Sequence, residues 1–321
     1  MAFQYYKEKL SIIQKHTYQT LLQGLDTMNE AIKVLDTNLD SINKILDCIK
    51  NDHPELFYCA TVELQTSGLS TIVYPQYEKT KEDIEQINNI LIQNRRTIIG
   101  KLQGSDEWNK LCFLHDLFCT QIQYSNCGDI AHSIVGPIIH KIAVCEGISK
   151  AFKYVCDELS IECVVVNGTA KSDIDGTIFE NHSWNKVRVN NEWVNIDVTF
   201  DLTISSPACI RHDYFCVSDG SIAQTHRADG ARDLCCITEY LDYYATKGLI
   251  MYNQQTMVDY IKKSYKSGLR TYEVKLLSSS NIQNVQEKVV SNVYKALTEL
   301  GVSARFTISL NKERLVVYIN I

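Results

Sequence analysis

Three residues in the central part of the chain have the types and local settings that thiol chemistry requires. Cys145 stands at the start of an amphipathic segment, while His182 and Asp197 lie on two alternating arms that flank the pair Asn190-Asn191. A histidine held by a carboxylate can take the proton of a thiol, and the resulting thiolate can attack a carbonyl carbon. The residue types therefore indicate a cysteine nucleophile, a histidine base and an orienting aspartate.

The residues after Cys145 predict a helix. Apolar side chains recur at helical spacing from Glu146 to Leu159, and Ser160 ends the pattern before the buried strand IECVVV. Cys145 would then lie at or just before a helix N-terminus, where free N–H groups and the helix dipole favour a thiolate and can hold a developing oxyanion. Gly147 would leave the first turn open to another backbone or a substrate. Taken alone, one cysteine among twelve is better explained as a buried residue at a helix start.

The stretch NHSWNKVRVNNEWVNIDVTFD predicts a hairpin with a two-residue turn at Asn190-Asn191. Counting outward from that turn gives the opposite pairs Val189 with Glu192, Trp184 with Asp197, and His182 with Thr199. Asp197 is then the diagonal neighbour of His182 on the polar face, at a Cβ separation of roughly 5.5–8 Å, and the largely apolar other face points to the core. Each residue alone is explained by a structural role, but their combination with Cys145 favours catalysis.

Two tryptophans, Trp184 and Trp193, share the face that carries His182 and Asp197. They could line a cleft, exclude water and shield the ion pair, or they could pack beneath the helix or the N-terminal region. The sequence leaves both alternatives open.

The motifs VCEGISKAFKYVCDELSIECVVVNG and NHSWNKVRVNNEWVNIDVTFD resemble the transglutaminase-like superfamily of papain-like thiol enzymes, in its bacterial form. The shared pattern is a Cys-x-Gly helix start, a His-x-Trp-Asn strand, and a Trp-x-x-x-Asp-x-Thr-aromatic-Asp strand after a short turn, over about residues 105–230. By this resemblance Cys145 is the nucleophile, His182 the base and Asp197 the orienting acid. The downstream segments HDYFCVSD and THRADG also look like family segments, and we expect their histidines, His212 and His226, to have structural rather than catalytic roles.

The resemblance implies an α+β fold in which a nucleophile helix packs against an antiparallel sheet that bears the histidine and the aspartate. It also implies acyl transfer through a thioester on amide substrates. Water as the final acceptor would make a cysteine peptidase or a deamidase, which we favour because indiscriminate cross-linking inside a cell would be harmful. A lysine amine would make a cross-linking protein-glutamine transferase, and a non-catalytic binding module of the same fold is the further alternative. Gln123 and Tyr124 are both within reach as a second oxyanion donor, although packing at a strand end explains them as well.

The remaining sequence predicts the elements that must position these residues. We expect an α+β extension over residues 1–104, a transglutaminase-like core over 105–250 and a small α+β region over 251–321. In the extension we predict a helix over about residues 4–23, strands that break at Pro75, and a helix TKEDIEQINNILIQNRRTIIGKL with a Thr-x-x-Asp capping pattern. The helix EWNKLCFLHDLFCTQI and an irregular polar stretch then lead to Cys145.

Composition limits the classes of partner and location. The net charge is −6 and no basic run occurs, which argues against a nucleic-acid or an anionic membrane partner. The N-terminus lacks the pattern of a signal peptide, and no stretch approaches the roughly 18 apolar residues of a membrane-spanning helix. We therefore expect a cytoplasmic, bacterial protein that acts on a protein or peptide substrate. The cysteines form no C-x-x-C pair and we find no calcium-type acidic loop, so we expect no metal and no cofactor.

Overall fold

Four β-sheets and their accompanying helices organise the part of the chain that the structure describes. The structure is a computed structural model that describes residues 3–102, 106–172, 178–206, 209–277 and 284–321. The mixture of helices with largely antiparallel sheets is the α+β architecture that the sequence predicts. Within these residues no helix combines the length and the apolar character needed to cross a membrane.

The N-terminal elements surround a three-stranded sheet with the strand order β1-β3-β2. In chain order they are α1 (Tyr5–Glu8), α2 (Ile12–Asp26), β1 (Ile32–Val34), α3 (Leu39–Asp52), β2 (Cys59–Ser67), β3 (Ser70–Tyr77) and α4 (Lys81–Gly100). The single helix expected over residues 4–23 is two helices, because Ser11 forms a capping box with Gln14 that starts α2. Thr80 and Asp83 form the capping box predicted for α4.

Pro75 does not end a strand, contrary to the sequence prediction. It lies inside β3 and is opposite Val62 of β2. Strand β1 pairs with β3 only from Thr71 to Val73. Pro75 therefore lies beyond the three-stranded part of the sheet, where a residue without an N–H is tolerated.

The central elements carry the residues that the sequence singles out. In chain order they are α5 (Glu107–Gln121), β4 (Gln123–Tyr124), β5 (Ile142–Ala143), α6 (Cys145–Glu158), β6 (Cys163–Lys171), β7 (Phe179–Val189), β8 (Glu192–Ile196), α7 (Val198–Ile204), α8 (Asp219–Ile222), β9 (His226–Ala228) and α9 (Tyr243–Thr246). Between β4 and β5 the chain forms only a 3₁₀ turn at Asp129–His132 and a π turn at Gly136–His140. Four strands form an antiparallel sheet in the order β8-β7-β6-β9.

The apolar face of the β7–β8 hairpin packs against α6. Val187, Val189, Val194, Ile196 and Val198 share one buried cluster with the apolar stripe of α6, which consists of Ile148, Ala151, Phe152 and Val155. Full burial of a side chain of this size contributes about 1.5–3 kcal/mol relative to its exposure. This packing fixes the sheet relative to the N-terminus of α6.

Helix α4 packs into the same cluster as the central elements. Its residues Leu91 and Ile98 are buried together with Trp108 and Leu111 of α5. The α4 helix thus supports the central elements across the predicted boundary at residue 104, and the division into 1–104, 105–250 and 251–321 stays a prediction.

The C-terminal elements form a sheet with two helices and a core of their own. They are β10 (Ile250–Met251), α10 (Gln254–Lys266), β11 (Thr271–Leu276), α11 (Val285–Leu300), β12 (Thr307–Asn311) and β13 (Val316–Asn320), and the strand order is β10-β11-β13-β12. The sequence predicts a helix over residues 282–297, which corresponds to α11; its residues 282 and 283 lie outside the described residues. Strand β12 forms one edge of this sheet, beside the central elements.

Candidate active site

Cys145 is the first residue of α6, and the extended residue Val144 precedes it as the N-cap. Its side chain is partly exposed. The N–H of Val144 donates to the carbonyl of Ala131 at 3.1 Å, which fixes the irregular loop against the start of the helix. A Cβ at Gly147 would lie 2.2 Å from that same carbonyl oxygen. Glycine at this position therefore permits the close approach of a backbone to the first turn of α6.

His182 and Asp197 form a buried hydrogen bond across the hairpin. The Nε2 atom of His182 lies 2.7 Å from Oδ2 of Asp197. His182 is 9% exposed and Asp197 is 0% exposed. Because little water reaches the pair, each charge depends on the other for stabilisation.

The end of the hairpin differs from the sequence prediction. The two-residue turn and the register from Val189 opposite Glu192 to Asn185 opposite Ile196 are as expected, but β8 ends at Ile196 and residues 198–204 are helical. Asp197 causes this change, because its Oδ1 accepts the N–H of Phe200 at 3.1 Å and caps α7. The expected strand through Thr199 is therefore wrong. Asp197 still meets His182, since it is the first residue beyond the paired strand and its second oxygen points back to the sheet.

Neighbouring charges set the protonation of the pair. Burial by itself would lower the pKa of His182, but the charge and hydrogen bond of Asp197 and the contact with the Cys145 thiol raise that pKa to about 10. Burial opposes ionisation of Asp197, yet His182 and His226 hold its pKa well below its usual range. The result is an imidazolium–carboxylate pair at neutral pH. Because Nε2 of His182 is bonded to Asp197, Nδ1 is the nitrogen left for the thiol of Cys145.

His226 lies inside the site, although the sequence gives no sign of this beyond the segment THRADG. Its Nε2 is 2.8 Å from Oδ2 of Asp197 and its Nδ1 is 2.7 Å from the hydroxyl of Thr225. Strand β9 brings it there by pairing with β6, so that His226 is opposite Ala170. Burial is the main reason that the pKa of His226 is lowered, despite the opposing pull of Asp197.

Of the two residues considered as an oxyanion donor, Tyr124 is the one that reaches Cys145. Its hydroxyl has hydrogen-bond contacts with both the side chain and the backbone of Cys145, and burial together with these negative neighbours raises the pKa of Tyr124. The parallel pairing of Tyr124 with Ala143 holds β4 beside the strand that leads into α6. Tyr124 therefore lies next to Cys145, with its hydroxyl close to the thiol and the backbone N–H.

A cleft with a volume of about 890 Å³ opens beside His182. Tyr124, Thr199 and Phe200 line it on the side of the central elements, and Ser309, Leu310 and Asn311 line it from β12. The ion pair between Lys171 and Glu313, 3.5 Å apart, joins the end of β6 to the turn after β12. The edge of the C-terminal sheet thus forms a wall of the cleft.

Neither tryptophan of the hairpin lines this cleft. Trp184 is 2% exposed; its ring stacks beside that of His182 with the centroids 6.2 Å apart, and its N–H donates to Asn195 at 3.1 Å. Trp193 packs against Phe3 near the N-terminus, with ring centroids 5.9 Å apart. Both residues thus follow the packing alternative, and Trp184 supports His182 from beneath.

Two groups of potential metal ligands lie close together within the described residues, namely His182, Asp197 and His226, and Cys112, Asp116 and His212. In both groups the histidine nitrogens already bond to the carboxylate, at distances of 2.7, 2.8 and 2.8 Å. Hydrogen bonding thus occupies at least one nitrogen of each of these histidines, whereas Nδ1 of His212 is buried without a hydrogen-bond partner among the described residues.

Comparisons with known proteins support the resemblance. Residues 97–198, which include Cys145, His182 and Asp197, match the family model of the transglutaminase-like superfamily. Among curated proteins, none matches the chain significantly.

Three solved structures are among those to which this chain is similar. A TGase is 16% identical, with 55% of this chain and 52% of that chain covered and a TM-score of 0.32. A candidate cysteine protease from Cytophaga hutchinsonii is 13% identical, with 43% of this chain and 61% of that chain covered and a TM-score of 0.30. The periplasmic domain of TgpA from Pseudomonas aeruginosa is 14% identical, with 41% of this chain and 55% of that chain covered and a TM-score of 0.29.

The alignments span between 52% and 61% of these neighbours' own lengths. The family model matches the region in which the structure places a cysteine at a helix start and a histidine–aspartate pair on the adjoining hairpin. The predicted resemblance is confirmed for that region: residues 97–198 of this chain are similar to the transglutaminase-like superfamily.

Proposed function

We propose that this protein is a cysteine-dependent acyl-transfer enzyme that acts on amide substrates through a thioester, with water as the final acceptor. Cys145 is the nucleophile, His182 the acid and base, and Asp197 the orienting residue. The observation that carries the proposal is the buried pair of His182 and Asp197 in contact with a thiol at the N-terminus of α6, beside an open cleft. This makes the protein a cysteine peptidase or a deamidase.

The first half-reaction forms the acyl-enzyme. The Cys145 thiolate attacks the amide carbonyl carbon, and the N–H of Cys145 and the hydroxyl of Tyr124 stabilise the oxyanion. The imidazolium of His182 then gives its proton to the departing nitrogen, the C–N bond breaks, and a thioester and a neutral imidazole remain. Asp197 keeps Nδ1 of His182 directed at the reacting atoms throughout, because Nε2 stays bonded to its carboxylate.

The second half-reaction regenerates the enzyme. Neutral His182 takes a proton from water, the hydroxide attacks the thioester carbonyl, and the tetrahedral intermediate collapses to a carboxylic acid and the Cys145 thiolate, while His182 keeps the proton. Hydroxyl and amide side chains such as Thr199, Thr203 and Asn311 line the cleft beside His182. An open cleft that is partly polar brings water to His182 and favours hydrolysis.

Selective alkylation tests the thiolate with matched comparisons inside the chain. Cys127 and Cys235 are exposed, whereas Cys145 is only partly exposed. If accessibility alone controls the reaction with iodoacetamide near neutral pH, the two exposed cysteines react first. The proposal requires Cys145 to react first and His182→Ala to slow Cys145 alone, measured by peptide mass mapping over time. A Cys145 that reacts no faster than Cys127 and Cys235 contradicts the catalytic role.

The acceptor is tested separately. A glutamine-containing peptide is incubated with the protein, with and without a fluorescent primary amine, and ammonia release, peptide cleavage and amine incorporation are measured. Cleavage or ammonia release without incorporation identifies a hydrolase. Incorporation that suppresses hydrolysis identifies a glutamine transferase and overturns the choice of water. Cys145→Ser is the blank in all three measurements.

The expected protein or peptide substrate, the absence of nucleic-acid and membrane partners, and the cytoplasmic location stay predictions from the sequence.

A further inference from the structure

We propose that His226 is a positioning residue of the active site, a second histidine that holds the Asp197 carboxylate in place for His182. The inference rests on the proposed function, because Asp197 has a role in catalysis only if His182 works with Cys145. It extends that function from three residues to a chain of five, from Cys145 through His182, Asp197 and His226 to Thr225.

The two histidines bind the same oxygen of Asp197. Nε2 of His182 and Nε2 of His226 lie 2.7 and 2.8 Å from Oδ2, while the N–H of Phe200 donates to Oδ1 at 3.1 Å. An ionised carboxylate only accepts hydrogen bonds, so both histidines must carry a proton on Nε2. Three donors from β7, β9 and α7 therefore fix the carboxylate from three directions.

Asp197 determines which tautomer His226 adopts, and Thr225 contacts the other ring nitrogen. The pKa of His226 is lowered, chiefly by burial, so the ring is neutral and its single proton is the one on Nε2. Nδ1 then accepts from the Thr225 hydroxyl, 2.7 Å away, for which the Ile222 carbonyl is the competing acceptor at 3.3 Å. The polar groups that face the ring are Asp197, His182, Thr225 and the Ile222 carbonyl. The aromatic side chains around it are those of Trp184, Phe200 and Tyr214. With the hydroxyl donating to Nδ1, the other edge of the ring must donate to Asp197.

Local backbone packing is adapted to bring His226 to this point. A Cβ at Gly168 would lie 2.1 Å from the carbonyl oxygen of Arg227, so glycine in β6 allows β9 to approach closely. Gly168 is opposite His182 in β7 and opposite Ala228 in β9. The glycine thus brings the strands of both histidines to one position in the sheet.

Two substitutions separate the hydrogen bond from the space that the ring fills. His226→Phe keeps an aromatic ring among Phe200, Trp184 and Tyr214 but removes the donor. His226→Gln keeps an N–H donor at about the position of Nε2 with a smaller side chain. If His226 positions Asp197, His226→Phe lowers kcat by about 10²-fold, as a misplaced reacting group does, with little change in KM, and His226→Gln restores most of it. His53→Gln, a buried histidine at the end of α3, is the control for loss of an imidazole elsewhere.

Two further readouts do not need a substrate, so they separate this inference from the proposed function. The first is the rate at which iodoacetamide alkylates Cys145, which His226→Phe should lower and His226→Gln should largely preserve. The second is the ¹⁵N NMR spectrum of the histidine side chains. In the unmodified protein His226 should be neutral with its proton on Nε2, and Thr225→Val should allow the Nδ1–H tautomer to appear.

Each outcome has a defined meaning. If the protein cleaves no amide but His226→Phe slows the alkylation of Cys145 and changes the His182 signals, the proposed function fails and the positioning role stands. If His226→Phe unfolds at the same temperature as the parent and keeps the parent rates of both catalysis and alkylation, His226 is only packing and the inference is overturned. The inference is also overturned if His226→Gln folds but its kcat is no higher than that of His226→Phe.

Discussion

Two aspartates in the described part of the chain are each held between two histidines, and both have cysteines nearby. Asp197 lies between His182 and His226, at 2.7 and 2.8 Å. Asp116 lies between His115 and His212, with Oδ1 at 3.0 and 2.8 Å from their nitrogens. In the second cluster, which we call the Asp116 cluster, Cys119 Sγ is 3.7 Å from His115, and Cys112 Sγ lies within 4.8 Å of the facing atoms of Asp116 and His212.

The clusters differ in where their cysteines lie on a helix. Cys145 is the first residue of α6, so its N–H has no acceptor within the helix and faces the hydroxyl of Tyr124 instead. Cys112 and Cys119 are interior residues of α5, where N–H groups bond to carbonyls of the preceding turn. A thiol with histidine and aspartate nearby is therefore insufficient for this chemistry, because the oxyanion also needs donors and the substrate needs an open cleft.

The Asp116 cluster has a structural role that the geometry makes plain. His115 also bonds to Asp201 at 3.1 Å, and Asp201 accepts the N–H of Tyr214 at 3.0 Å. Asp201 belongs to α7, the helix that Asp197 caps. The cluster thus ties α5 to α7 and supports the position of Asp197 from behind.

The largest expected effect separates the two kinds of cysteine. Cys145→Ser should lower kcat/KM by about 10⁴-fold or more, as loss of a nucleophile does, because a serine hydroxyl is not ionised by this histidine. Cys119→Ser should change it less than about threefold, since its thiol faces no free helix N–H. The measurement is kcat/KM on the glutamine-containing peptide used to test the acceptor, with thermal unfolding as the check on folding. Equal losses in the two variants would abolish the distinction between the clusters.

The second prediction compares the two aspartates. Asp197→Asn should lower kcat by about 10⁴-fold, because an amide favours the wrong tautomer of the histidine. Asp116→Asn should lower the free energy of unfolding by about 1–3 kcal/mol through loss of a charge-assisted bond and leave kcat within about tenfold. Urea unfolding and initial rates measure the two quantities. Activity that depends as strongly on Asp116 as on Asp197 would contradict a purely supporting role for the Asp116 cluster.

The third prediction concerns the oxyanion. Tyr124→Phe should lower kcat by about 10²-fold with little change in KM, because one donor to the transition state is lost. Gln123→Ala, at the neighbouring exposed position of β4, is the matched control and should have no comparable effect. If Tyr124→Phe keeps the parent kcat, Tyr124 does not act with the N–H of Cys145 and has no part in the mechanism.

The smallest expected effect is on stability at alkaline pH. Burial opposes protonation of His212, but its contacts with Asp116, Cys112 and Glu273 raise its pKa to about 11. A histidine whose pKa is raised by folding stabilises the protein below the unfolded pKa of about 6.5 and loses that contribution as the pH rises through the folded pKa. The free energy of unfolding should therefore fall by roughly 1 kcal/mol or more between pH 8 and pH 11. His212→Gln should flatten this slope in urea titrations, and an unchanged slope would contradict the ion pair.

Several features were readable because they depend on short stretches of sequence. The stripe from Ile148 to Val155 indicated that Cys145 starts a helix, since a 3.6-residue period describes one local element. The pair Asn190-Asn191 fixed the register of the hairpin, and both residues have the positive φ values, 50° and 67°, that such a turn requires. Register and alternation together brought His182 and Asp197 to one face.

Other features depended on contacts between distant segments. The strand expected through Thr199 is a helix because the N–H of Asp197 bonds to the carbonyl of Tyr214 and its side chain caps α7, and the sequence pattern carries no sign of either partner. His226 and Tyr124 reach the site only because β9 pairs with β6 and β4 pairs with β5. The sheet edge formed by β12, which makes a wall of the cleft, lies more than a hundred residues along the chain from His182.

The sequence by itself determined the helix that begins at Cys145, the hairpin that joins His182 to Asp197, and the chemistry that a thiol, an imidazole and a carboxylate can perform. These follow from local periodicity and turn geometry, which are properties of adjacent residues. Only the tertiary structure decided that a second histidine shares the oxygen of Asp197, that Tyr124 faces the N–H of Cys145, and that a similar Asp116 cluster lacks the reactive geometry. Those outcomes depend on which segments pack together, and packing is set by the whole core rather than by any one motif.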